Sequence, residues 1–436
     1  MRSYLFLFLF ISTASLSQVR FQKTIERQKT ESQKHYTDWA KCISQTEDNG
    51  YLVLCTFGLL KLDSIANLQW IKNYKGSFIK KTPEKKYLLA GNTLGFDYFN
   101  MALLKEDGRA IWKNEYVASS SRIKIVSLKV TEDNHYLVAG WLGGYMFLFK
   151  ANVEGYIAWT KVLNIRIGDI ESKNELQIDE AADGSFFIAG KAFSIRGFTG
   201  RNLGYVINIG KYGWMNWLKI YEFETETGKR ESLSLEFITA TPDGGFVGTK
   251  GITLYKFNSK GESEWVRHAK FVPHTRQIKK FDLIETVNGG IAAMSRTQEY
   301  YSDIYMVKLD NKGNIYWART FGGGGIEYGN FLLETNDKGF VIAGITKVGD
   351  KHSDIDVSSI YLSKTDENGN AGCTQTVMKR FAYKDADYKV ISREFPRSFI
   401  INLELNQYSI IDRQKKDPTF GKRKEVDLKI VDLCGK

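Results

Sequence analysis

A glycine four residues before a tryptophan recurs along the chain, at Gly108/Trp112, Gly155/Trp159, Gly213/Trp217, Gly261/Trp265 and Gly313/Trp317, with Ala66 in the glycine's place before Trp70. Glycine there allows the positive φ of a tight hairpin, and tryptophan opens the strand that follows. Between successive tryptophans a second signal repeats: a polar turn, then an apolar strand. Examples are Asp48-Asn49-Gly50 before Tyr51-Leu52-Val53, Asp243-Gly244-Gly245 before Phe246-Val247, and Asp337-Lys338-Gly339 before Phe340-Val341-Ile342. Each unit therefore holds an inner strand A, a turn, strand B, a variable loop, strand C, the glycine turn and the tryptophan strand D. A chain of 436 residues would ordinarily suggest two or three domains. A repeat of this length means instead that one fold is assembled from small units.

Four antiparallel strands per unit make one blade of a β-propeller. Seven A-to-C segments are present, but only six tryptophan strands follow them. The last copy, Asp366-Glu367-Asn368-Gly369-Asn370-Ala371-Gly372-Cys373, has cysteine in the tryptophan's place. The missing strand lies at the front of the chain, where Phe21-Gln22-Lys23-Thr24-Ile25 resembles Trp317-Ala318-Arg319-Thr320-Phe321. The reading is an all-β, seven-bladed β-propeller closed by an N-terminal strand, which removes an open edge. Aromatic content of 14%, 39 glycines and only 5 prolines suit many short strands with glycine turns.

The predicted organisation is a signal peptide over 1–18, the propeller over 19–373 and a small C-terminal β extension over 374–436. Arg2, the apolar run Leu5 to Ile11 and the small residues after it read as a secretory signal too short to span a bilayer. No later apolar run reaches membrane length. The expectation is a secreted protein, extracellular or periplasmic, without a transmembrane segment. Apolar or alternating runs around Tyr388–Ile391, Phe399–Leu403 and Val426–Val431 are the candidate strands of the extension.

Export permits disulfides, and Cys42, Cys55, Cys373 and Cys434 match no zinc spacing. A two-residue loop at Asp48-Asn49 puts Cys42 opposite Cys55, close enough to bond; a four-residue loop is less favourable and leaves them reduced. Cys373 and Cys434 then pair partly by elimination, anchoring the extension beside the last blade.

The repeats resemble those of secreted, uncharacterised tryptophan-repeat propellers of Gram-negative bacteria, particularly of Bacteroidetes type, on a D-G-G-[FY] turn, a glycine–tryptophan turn and a [KR]-T-[FY]-G-G tail. Residues 21–373 carry the pattern, and Trp317 to Gly323 is a close copy. The glycine–tryptophan spacing also resembles pyrroloquinoline-quinone-type and outer-membrane-assembly propeller repeats. The resemblance implies architecture and leaves function open.

No catalytic constellation stands out. The five histidines are scattered and form no triad or HExxH motif. Gly322–Gly325 lacks the Lys-Ser/Thr of a phosphate loop, and Asp354-Ile355-Asp356 lacks a full calcium ligand series. No cofactor or metal is expected. The net charge of +11 is spread along the chain without basic–aromatic interleaving, so nucleic acid is not an expected partner. Lys61, Lys150, Lys256, Lys308 and Lys364 recur nine residues before tryptophan or its cysteine replacement. They read as strand-end lysines that reach solvent or pair with a neighbouring blade, or else as a ring of cations.

The A–B and C–D turns are short and regular, whereas the B–C and D–A connections vary. Variation on a rigid frame marks where binding residues sit. Arg196, Phe198, Arg201, Tyr300, Tyr301 and His352 are the candidate ligand contacts, for an unknown protein or glycan. The leading functional expectation is a secreted, non-catalytic binding or scaffold propeller. Its alternatives are an extracellular carbohydrate-active or quinone-linked enzyme, and an envelope-assembly scaffold.

Overall fold

The computed structural model describes residues 19–27, 37–92, 96–118, 122–166, 176–195, 198–224, 228–251, 253–270, 282–296, 303–322, 325–347 and 358–372, together with five short strands between 375 and 432. Seven four-stranded antiparallel blades surround a central channel, each with its A strand innermost. Blade 1 runs Ala40–Gln45, Tyr51–Cys55, Gly58–Leu62, Leu68–Lys72. Blade 7 runs Ile326–Glu334, Phe340–Lys347, Ser358–Lys364, and its fourth strand is β1, Phe21–Arg27. The predicted closure is thus present, with Phe21 opposite Lys364 and Ile25 opposite Ile360.

The glycine–tryptophan spacing is a joint between blades. Each tryptophan lies against the glycine of the next blade's C–D turn: Trp112 on Gly155, Trp217 on Gly261, Trp317 on Gly369. A Cβ on Gly155 would sit 3.0 Å from the Trp112 ring and 2.6 Å from Asn114 Nδ2, and its φ is +84°. Glycine is required there twice, by backbone and by the neighbour's ring. The indole N–H of Trp112 donates to Val153 O at 2.9 Å and that of Trp317 to Glu367 O at 3.1 Å, so each ring also holds the turn it covers. Where a tyrosine follows the tryptophan by four residues, its hydroxyl donates to the same glycine's carbonyl, as Tyr116 does to Gly155 at 2.6 Å.

At the closing joint both partners change. Phe21 pairs with Lys364 as Trp70 pairs with Lys61 and Trp159 with Lys150, so phenylalanine takes the tryptophan's place. The residue it meets in blade 1 is Ala66, with φ 64°, in one apolar cluster with Phe21, Tyr51 and Leu62. A smaller ring leaves room for the extra methyl. Phe21 also meets Tyr51 edge-on at 6.1 Å, as Trp317 meets Phe340 at 5.7 Å.

The recurring lysines are buried ties within a blade. Lys61 reaches Asp48 at 2.6 Å, Lys150 Asp133 at 2.8 Å, Lys256 Asp243 at 2.9 Å and Lys364 Asp337 at 3.0 Å, with lysine side chains only 2–5% exposed. Each joins strand C to the A–B turn of its own blade. Solvent-reaching lysines do not describe them, although Lys61 adds a contact at 3.3 Å to Glu106 of blade 2. The tie is not made in every blade. Blade 6 has Asn288 in the turn, and Lys308 lies over the Phe340 ring at 5.3 Å. In blade 4 Asn208 stands in the lysine's place and donates to Ser185 Oγ at 3.0 Å. Burial alone would raise the four aspartates; hydrogen bonds from lysine and threonine outweigh it and hold all four below the ordinary range.

The expected Cys42–Cys55 disulfide is absent, and both residues are buried thiols. The turn has three residues, not two: Asn49 N donates to Thr46 O, Thr46 N donates to Gly50 O, and Asn49 takes φ 61°. The extra residue shifts the register by one, so Cys42 faces Leu54 and a bulge sets Ala40 opposite Cys55. A one-residue shift sends a side chain to the other face. Cys42 packs toward blade 2 and donates to Ile79 O at 3.2 Å; Cys55 packs in the closing cluster and donates to Gly58 O at 3.1 Å. Cys373 and Cys434 lie outside the described residues.

The C-terminal strands do not pair with one another among the described residues. Each adds a fifth strand to a different blade: Gln375–Val377 to blade 6, Ala382–Asp385 to blade 5, Lys389–Phe395 to blade 4, Ile410–Gln414 to blade 2 and Leu428–Asp432 to blade 7. The segment travels round the rim against the order of the blades. Its last strand covers the outer edge of β1, which is therefore held on both sides.

Two measurements probe these joints. Gly155→Ala is expected to cost about 2–4 kcal/mol in denaturant unfolding, because the methyl meets both positive φ and the Trp112 ring. Gly244→Ala, whose φ is +79° but whose Cβ would meet only Ser259 at 3.9 Å, should cost about 1–2 kcal/mol. Equal costs would mean that the ring contact is unimportant. The aspartates titrate below their unfolded value of about 3.9, so the stability they contribute is present above it and is lost as pH falls through the folded values. Unfolding free energy should therefore decline progressively below about pH 4, and less steeply in Asp337→Asn.

Candidate functional site

The A strands of all seven blades wall a central cavity of about 540 Å³. Strand A presents its free edge to the axis, because its other edge pairs with strand B and its two faces pack on neighbouring blades. Phe78, Phe237 and Phe331 supply apolar wall, and Lys41, Lys80, Lys129, Asp179 and Glu285 supply charge.

Lys129 and Asp179 belong to a network that crosses four blades. Lys129 of blade 3 reaches Asp179 of blade 4 at 2.5 Å. The other carboxylate oxygen of Asp179 accepts from Thr239 Oγ1 at 2.9 Å and Ala240 N at 2.8 Å in blade 5. Thr239 Oγ1 in turn accepts from Glu285 N of blade 6 at 3.1 Å. Burial would lower the Lys129 ammonium, but Asp179 outweighs it and the net direction is upward.

Strand A ends at one repeated position, and in blades 1, 4 and 7 a carboxylate or amide there caps the preceding blade. Glu180 accepts from Glu132 N at 2.9 Å, Glu334 from Val287 N at 2.7 Å and Gln45 from Asn336 N at 2.9 Å. Glu285 occupies the same position in blade 6, but the residue that would donate to it is Pro242, which has no N–H. Its carboxylate consequently has no hydrogen-bond or ion-pair partner among the described residues. Burial first, and the Asp179 charge second, push the Glu285 carboxyl upward, while Asp179 itself is fully engaged. Sequence reasoning passed over this residue. The available signal was Pro242 in a turn whose other copies carry a donor.

The predicted contacts are placed differently. Arg196, Tyr300, Tyr301 and His352 lie outside the described residues. Phe198 and Arg201 fall in the strand Phe198–Ile209, with Phe198 opposite Ile195. Among the described residues no group of three or more histidine, cysteine, aspartate or glutamate side chains is arranged to hold a metal. No helix there is long and apolar enough to cross a membrane.

No family model matches the sequence, and no curated protein does. Solved structures show likeness of fold at low identity. A streptogramin B lyase is 11% identical, with a TM-score of 0.48 over 79% of this chain and 98% of its own. A protein of unknown function from Bacteroides caccae is 12% identical, with a TM-score of 0.41 over 69% and 94%. Drosophila Plexin A, solved with Semaphorin 1b, is 10% identical, with a TM-score of 0.42 over 80% and 88%. Their differing activities attach to those proteins.

Glu285 should titrate above the ordinary glutamate value of about 4.3, and Asp179→Asn should bring its midpoint down. Side-chain carbon NMR reads both. A midpoint that Asp179→Asn leaves unchanged would show that the two carboxylates do not interact.

Proposed function

We propose that this chain is an exported ligand-binding propeller whose working site is the central channel, and that it takes a small polar molecule bearing an amino or hydroxyl group. The observation that carries this reading is Glu285. It is a carboxylate with no hydrogen-bond or ion-pair partner among the described residues, on the wall of a cavity of suitable size and among rings that cover the apolar part of a ligand. Its neighbours at the same position in blades 4, 7 and 1 are occupied by structural hydrogen bonds. The variable-loop residues Arg196, Phe198, Arg201, Tyr300, Tyr301 and His352 belong, by their place in the repeat, to the B–C connections, and in this reading they would govern access. The likeness of the repeats to Bacteroidetes-type secreted propellers agrees with an exported binding module.

Calorimetry with a panel of amino sugars, neutral sugars and aliphatic diamines tests the reading. A ligand that binds wild type should lose roughly tenfold or more with Glu285→Gln, without a change in melting temperature. Unchanged affinity in that variant would remove the channel carboxylate from the site.

The differing environments of Asp179 and Glu285 favour a second reading, an acid–base enzyme on an extracellular carbohydrate. Asp179 is held by Lys129 and hydrogen bonds, whereas burial and the Asp179 charge push the Glu285 carboxyl upward. A carboxyl shifted in that direction suits a general acid. Product release from oligosaccharides, abolished by Glu285→Gln while binding persists, would support it over binding alone.

A further inference from the structure

Seven copies of one C–D turn allow the chain to be compared with itself. The turn begins with aspartate or asparagine in five of them: Asp63, Asn152, Asn258, Asp310 and Asp366. That side chain accepts from the backbone N–H groups two and four residues on, as Asp310 does from Lys312 and Asn314, both at 2.8 Å. Blade 2 begins with Lys105 but recovers one such bond, Arg109 N donating to Asp107 Oδ1 at 2.9 Å. Blade 4 has neither. Its turn reads Gly210-Lys211-Tyr212-Gly213-Trp214. The hairpin itself is kept, with Gly210 N donating to Trp214 O at 2.7 Å and Gly213 N to Gly210 O at 2.8 Å.

Nothing local demands glycine at 210. It lacks the positive φ of Gly213, and a Cβ there would come no closer than 3.5 Å to any atom. This turn has given up a side-chain cap worth about 1 kcal/mol, and it carries two large rings in water. Trp214 is 70% exposed and Tyr212 69%. At Trp214's position blades 5, 6 and 7 carry Glu262, Asn314 and Asn370. Lys161 Nζ lies 4.7 Å from the Trp214 ring centre and Lys211 Nζ 5.0 Å from that of Tyr212. Tyr156, 51% exposed, occupies the matching position in blade 3.

We infer that the blade 4 turn is a second binding site, independent of the channel, for an acidic oligosaccharide. A ring with an ammonium beside it can cover the apolar face of a pyranose while the ammonium meets the sugar's carboxylate or sulfate. Two rings on one hairpin tip are far smaller than the roughly 800 Å² per partner of a stable protein interface, but they match a short sugar chain. A membrane would require apolar tips around the whole face, and those of blades 5 to 7 are polar.

Affinity electrophoresis of the full chain through gels containing polygalacturonate reads the site directly, with dextran as the neutral control. Wild type should be retarded by polygalacturonate and not by dextran, and Trp214→Ala should weaken the interaction roughly tenfold. Tyr316→Ala, which removes a ring that is 67% exposed on blade 6, should bind as wild type does. Melting temperatures establish that both variants fold. Equal retardation of Trp214→Ala and wild type overturns the proposal, as does no retardation of wild type. Trp214-dependent sedimentation with phosphatidylglycerol vesicles in the absence of polygalacturonate binding would assign the tip to a lipid surface instead.

Discussion

An aromatic ring resting on a bare glycine backbone is the contact from which this ring of blades is built. It recurs where Trp112 meets Gly155, where Trp217 meets Gly261 and where Trp317 meets Gly369. Because a ring from one blade covers the turn of the next, no blade completes its own packing, and each buries apolar surface only through a neighbour. The channel follows from the same geometry. Seven A strands are held at a fixed distance from the axis, and the polar chain from Lys129 to Glu285 is assembled from four blades that share no hydrogen-bonded sheet at that point. The buried lysine–aspartate ties act at a different level, stiffening each A–B turn against the C strand of its own blade.

Much of this was legible because the turn residues carry it. Positive φ at glycine and an aromatic four residues later name the C–D hairpin, and the incomplete last copy pointed to Phe21–Ile25. The register of the A–B turn was not legible. Asp48-Asn49 serves a two-residue or a three-residue loop equally well in sequence, and one residue decides whether Cys42 and Cys55 share a face. The lysine spacing was visible, but its partner was hidden: the aspartate lies on a turn 13 to 27 residues earlier, with strand B between. The runs Tyr388–Ile391 and Val426–Val431 were readable as strands, and Phe399–Leu403 lies outside the described residues; the other three short strands, and the distribution of all five over the blades, depend on the free outer edges of the D strands, a property of the finished ring.

The site was less legible than the fold. Variable loops drew attention to Arg196, Arg201 and Tyr300, but the described polar network lies on inner strands, in positions that each copy fills differently. Glu285 becomes conspicuous only when Pro242 is seen to occupy the donor's place in the neighbouring blade. Trp214 becomes conspicuous only when its turn is set against six others. Both are departures from a repeat, and a repeat is needed to measure them.

The fastening of β1 has a consequence in time. Gln22 hydrogen-bonds Tyr361, 339 residues further along the chain, and the strand that covers its other edge comes later still. During synthesis the N-terminal strand is made first and must wait for nearly the whole protein before either of its partners exists. Contacts so distant are slow to form. Each unfinished ring has two raw flanks, and the C-terminal belt, which runs against the order of the blades, has little to lie on until the circle is shut. A chain stopped short of residue 358 therefore lacks its clasp as well as its belt, and carries from its first moments an alternating apolar strand with nothing of its own to pair with.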